Sequence, residues 1–141
     1  MALDSIFGIA GTALNAQLTR MNATASNLAN AGTVSGTEKD AFRAKRPVFQ
    51  ALMDEQMTHS GAAYVGGVKV AKIADDTAPP QRVADPKNPL ADKDGYVYKS
   101  NVSEVTEMVE MMAAARSYQN NVEVINTARQ LMMRTLDITK A

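Results

Sequence analysis

Residues 101–138 read NVSEVTEMVEMMAAARSYQNNVEVINTARQLMMRTLDI. The stretch contains neither Gly nor Pro, the two residues that most often interrupt a helix. Met111, Ala115, Tyr118, Val122, Ile125, Ala128, Met132 and Leu136 recur at steps of three and four, the spacing of one helical face. Asn101 with Glu104 three residues later makes a capping pair, and Ser103 is an alternative cap. The pattern predicts one helix over residues 102–138, about 50 Å long. A second apolar stripe, Ala113, Val124, Leu131 and Ile138, lies roughly 120° around it.

The other end of the chain repeats the pattern. Leu3, Phe7, Ala10, Leu14, Leu18, Met21, Ala25 and Leu28 form a seam of coiled-coil type. Ala2, Ile6, Ile9 and Ala13 form a second stripe roughly 110° away. This helix is expected to stop at Asn30-Ala31-Gly32, residues that tolerate a left-handed turn. Residues 31–99 differ, holding all five Pro. Three strands are expected there: Phe42–Phe49, interrupted by Pro47; Gly66–Ile73, which alternates cleanly; and Tyr96–Tyr98 after the turn signal Asp94-Gly95.

The fold class that follows is mainly α. Long N- and C-terminal helices pair as an antiparallel coiled coil, and a small extended or β-hairpin segment lies between them. The expected divisions are residues 1–32, 33–100 and 101–141, with the two helices making one coiled-coil domain. Pairing the main seams leaves the secondary stripes uncovered, and exposed apolar stripes mark interfaces. Two resolutions are open. Helices of other copies cover them in an open helical array, or the middle segment folds back over them.

Composition narrows the function. The 141 residues suit one domain. Fifteen basic and fifteen acidic residues cancel, so no global field draws the chain to nucleic acid or an anionic membrane. Without Cys there are no disulfides, thiolate metal sites or Cys nucleophiles. No apolar run approaches the ~20 residues of a membrane span. Met1-Ala2-Leu3-Asp4 lacks the basic and apolar regions of a standard secretory signal.

No constellation of catalytic, cofactor-binding or metal-ligating residues stands out. The single histidine, His59, lies in a polar loop beside Ser60, where an imidazole is far more often solvated than catalytic. Asp92-Lys93-Asp94-Gly95 places its Gly too early for a calcium loop, and no closing Glu follows; a turn explains it better. Glu104, Glu107 and Glu110 are spaced as a solvated helix face. Lys39, Arg43, Lys45 and Arg46 form a basic patch without the aromatic interleaving of a nucleic-acid surface. The chain is therefore expected to be no enzyme and to need no cofactor.

The motifs resemble a known family. Ser26-Asn27-Leu28-Ala29-Asn30-Ala31-Gly32-Thr33 resembles the N-terminal signature of the rod and hook axial proteins of the bacterial flagellum. Glu107-Met108-Val109, Met111-Met112 and the run Ala115–Asn126 resemble that family's C-terminal tail. Gly67-Val68-Lys69-Val70, Asp85–Asp92 and Asp94-Gly95-Tyr96-Val97 resemble its short proximal-rod members.

The resemblance implies a structural subunit of the proximal rod of the basal body. The subunit would polymerise helically to transmit torque and enclose the export channel. It implies a periplasmic location, export without a cleaved signal through the flagellar type III apparatus, and contact with copies of itself and other rod proteins. It implies no nucleic acid, small-molecule substrate or membrane insertion. Leu14, Leu18, Met21 and Leu28 would pack against Tyr118, Val122, Ile125 and Met132, with Leu136 extending the seam. Asn27 and Asn30 would fix the chain's path out of the first helix, and Gln119, Asn120 and Asn121 would make polar contacts. The rival readings are another short rod subunit, a soluble helical adaptor or export chaperone, and a cell-wall hydrolase. The last suffers from the missing acid and base pair.

Overall fold

A computed structural model describes residues 2–52 and 66–139. His59 and Ser60 lie outside the described residues. The element order is α1 (Ala2–Asn30), β1 (Val34–Ser35), β2 (Lys45–Ala51), β3 (Val68–Asp75), β4 (Gln81–Ala84), β5 (Tyr96–Lys99) and α2 (Glu104–Thr139). Two sheets form, a three-stranded one in the order β1-β5-β4 and the pair β2-β3.

This corrects the expected fold class. Among the described residues the chain is a helix, five strands in two sheets, and a helix, not a mainly α antiparallel coiled coil carrying a small hairpin. The middle segment forms ladders because its backbone groups need partners once packed. Nor is the expected seam a dry stripe: Leu18 is 46% exposed, Val122 36% and Leu136 50%. Ala10 of the seam is buried, but the other residues that α1 buries, Ala16, Ala23, Thr24 and Asn27, are offset from it.

The chain divides into two compact units. The first comprises Met1–Thr19, Val48–Lys72 and Ala113–Ala141. Here Thr12 Oγ1 donates to Ile9 O at 2.7 Å and accepts from Val68 N at 3.2 Å. The helix thus supplies a partner to the first residue of β3, and Leu52 N donates to Gly67 O at 2.9 Å to close the strand pair. Gly67 has φ +137°, and a Cβ there would lie 2.8 Å from Thr12 Oγ1. Gly67→Ala is therefore expected to destabilise by about 2 kcal/mol, from backbone strain and the displaced threonine. A urea unfolding series checks this.

The second unit comprises Arg20–Pro47 and Ile73–Met112. Its sheet is antiparallel, with Val34 opposite Lys99, and Val83 opposite Val97. β4 escaped the sequence reading because four exposed residues between two proline clusters show no alternation. Asp94-Gly95 is the expected turn: Asp92 Oδ1 accepts from Asp94 N at 2.9 Å and Tyr96 N at 2.8 Å. Gly95 has φ +80°. Asp92 Oδ2 lies 3.9 Å from Arg82 Nη2, whose guanidinium stacks 3.8 Å over the Tyr96 ring. The acidic cluster is thus occupied by its own turn.

The end of α1 differs in detail from expectation, and at the start of α2 the alternative cap is the one used. Among the described residues only glycines 66, 67 and 95 have positive φ, so α1 does not stop by a left-handed turn. Instead Asn30 Nδ2 donates to Ser26 O at 2.8 Å, and Thr33 closes on Asn30 O through N and Oγ1. At the start of α2 the cap is Ser103, whose Oγ accepts from Thr106 N at 3.5 Å. Asn101 bridges other segments, accepting from Ala44 N and donating to Ala78 O, each at 2.8 Å.

Candidate functional site

The second unit is organised around a buried polar node. Asn27, on the last turn of α1, is fully buried. Its Oδ1 accepts from Lys45 N at 2.7 Å, and its Nδ2 donates to Lys45 O at 3.0 Å. One side chain so satisfies both backbone groups of the first residue of β2, as a neighbouring strand would. Nδ2 also donates to Glu107 Oε2 at 2.9 Å.

Glu107, one turn into α2, is itself fully buried. Its Oε1 lies 2.7 Å from Arg46 Nη1. That contact is an ion pair whose N–H direction falls short of a hydrogen bond. Arg46 also approaches Asp76 Oδ2 at 3.6 Å, and Arg20 pairs with Glu110 one turn further along α2. Within this unit α1 and α2 are thus tied by polar contacts. A buried carboxylate persists only with such partners.

Ser100 completes the frame. Buried, it donates from Oγ to Ala31 O at 2.8 Å and from N to Thr33 O at 3.1 Å. Around it Ala31, Ala44 and Val102 make the small core, with Phe42 against them.

Of the residues expected to make packing or assembly contacts, only Asn27 enters this node. Asn30 is half-buried at the helix end. Leu14, Met21, Leu28, Tyr118, Ile125 and Met132 are half-buried, whereas Leu18, Gln119, Val122 and Leu136 are exposed. Asn121 donates to Ser117 O one turn back, at 3.0 Å. The reading of Glu107 as a solvated side chain is overturned. Sequence reasoning read Arg46 as part of a surface basic patch and Asn101 as a helix cap, and did not single out Ser100. One signal for Glu107 was available: Ala114 and Glu107 share a helical position one heptad apart, and both are fully buried. The basic patch is largely spent inside the chain, with Arg43 on Glu38, Lys45 on Asp75 and Arg46 on Glu107. Among the described residues no cluster of three His, Cys, Asp or Glu could hold a metal, and no helix is long and apolar enough to cross a membrane.

The node joins the two parts of the chain that match known protein families. Residues 7–35 match the flagella basal body rod protein model. Residues 93–138 match the C-terminal model of flagellar basal body rod FlgEFG proteins. Over nearly the whole chain, the flagellar basal-body rod protein FlgC of Escherichia coli O6:H1 is 50% identical across 138 residues, 98% of each chain. The chain belongs to the FlgC family of flagellar basal-body rod proteins. Salmonella typhimurium FlgC is 49% identical over 98% of both chains. Bacillus subtilis FlgC is 35% identical over 94% of this chain and 95% of its own. FlgC proteins are structural rod subunits of the basal body. Asn27 and Glu107, one in each family-matched segment, meet in a single buried hydrogen bond.

Proposed function

We propose that this chain is a repeating structural subunit of the flagellar proximal rod, and that neighbouring subunits cover the apolar surface its helices leave open. The observation that carries this reading is an inverted division of apolar residues. Among the described residues the buried hydrophobics are eight alanines and two valines. The large aliphatics lie outside: Leu18, Val105, Met108, Val109, Met112, Leu131, Met133, Leu136 and Ile138 are each between 46% and 77% exposed. All nine lie on α1 or α2. A chain that shows its large side chains and buries its small ones is built to be covered in an assembly.

The work of such a subunit is mechanical. An array of these helices carries torque and encloses the export channel, with no turnover and no cofactor. Leu14, Leu18, Met21, Leu28, Tyr118, Val122, Ile125, Met132 and Leu136 supply its apolar contacts, and Asn30, Gln119 and Asn121 its polar ones. The subunit passes through the flagellar export apparatus without a cleaved signal and joins copies of itself and other rod proteins.

Deleting the gene and fractionating the cells tests this. Loss of motility, with the re-expressed chain recovered in purified basal bodies, is the expected result. A motile deletion strain, or a chain recovered only in the cytoplasm as an adaptor would be, overturns it.

A further inference from the structure

One short segment, residues 96–107, holds the separate stretches of the second unit together. β5 is the centre of the three-stranded sheet, and β1 and β4 pair with it and not with each other. Ser100 donates to the carbonyls of Ala31 and Thr33. Asn101 joins Ala44 N to Ala78 O. Glu107 takes Asn27 and Arg46. The end of α1, strand β1, the start of β2 and the chain around β4 thus all meet a segment that comes after them in sequence.

Without that segment the rest of the unit has little to fold on. Val97 and Val102, the buried hydrophobics larger than alanine among the described residues, both lie in it. The earlier parts of the unit bury only Ala23, Ala31, Ala41 and Ala44 as hydrophobics. A buried methyl group gains less than the chain entropy lost in ordering its residue. The remaining ties are polar: Asn27 to the backbone of Lys45, Asp76 N to Ala44 O, and ion pairs from Lys45 to Asp75 and Arg46 to Asp76. Ion pairs as open to water as these contribute little.

We infer that residues 96–107 are a closing strap: residues 20–47 and 73–95 stay open until the strap docks, and the second unit then forms in one step. Anything that keeps the strap extended keeps the whole unit open. On the export reading proposed above, a chain whose residues 96–107 are still threaded leaves residues 20–47 open too, the form that a narrow channel admits. That consequence rests on the export reading; the strap itself does not.

Native-state hydrogen exchange on the purified full chain tests the strap. The amides of Ala44, Lys45, Asp76 and Ser100 report on both sides of the closure. One common protection factor at all four is the expected result. Higher protection at Lys45 and Asp76 than at Ser100 would overturn the inference, since the earlier segments would then stay closed while the strap is open. Ser100→Ala removes the donor to the Ala31 carbonyl. It is expected to lower protection at all four amides by the same factor, about tenfold or more. A fall confined to Ser100 overturns the strap and leaves the rod reading intact, whereas absence of the chain from basal bodies would defeat the rod reading alone.

Discussion

Asn27→Ala is expected to remove about 3–9 kcal/mol of stability. The amide makes three hydrogen bonds, two to the backbone of Lys45 and one to Glu107. Truncation leaves a buried N–H, a carbonyl and a carboxylate oxygen each short of a partner. Each such group costs about 1–3 kcal/mol. A whole domain is stable by only about 5–15 kcal/mol, so the variant lies near unfolding at ordinary temperature. Asn27→Asp is expected to be at least as severe, because it sets a second carboxylate beside buried Glu107. Denaturant midpoints measure both, and a change below about 1 kcal/mol for Asn27→Ala would show that the node is open to water.

Leu18→Asp is expected to act in the opposite way. Leu18 is 46% exposed on α1, so the free chain loses only the helix-propensity difference, about 0.5 kcal/mol. Under the proposed rod reading a neighbouring subunit covers this position, where an unpaired charge in a dry contact costs far more than a subunit interface can absorb. Motility is expected to be lost although purified Leu18→Asp has the far-ultraviolet circular dichroism of the parent chain and an unfolding midpoint only slightly below it. Ile125→Asp, on a half-buried position, is expected to abolish motility as well but with a measurable loss of stability. Swimming cells carrying Leu18→Asp as their only copy would refute the reading.

The two helices were legible in the sequence because long stretches keep one period without Gly or Pro. α2 runs Glu104–Thr139 against an expected 102–138. Three strands were legible from alternation and from the Asp94-Gly95 turn. β1 and β4 were not, because two and four residues carry no period. The architecture was misread for one physical reason. Periodicity shows which residues share a face but not what covers that face, so two apolar seams suggested each other. The seams belong in part to surfaces that the free chain leaves open, while the buried face of α1 is built from Ala and Asn27. Glu107 was hidden for the same reason: a carboxylate is buried only where Arg46 and Asn27 meet it, and those partners lie 61 and 80 positions away.

The central claim is that α1 and α2 expose apolar side chains that only assembly covers. Labelling a thiol at position 18 tests it most directly, since the chain has no other. Leu18→Cys protein is treated with a maleimide as the purified chain and within isolated basal bodies. Rapid labelling of the free chain and strong protection in the basal body is the result the account predicts. Equal labelling in both states would contradict it.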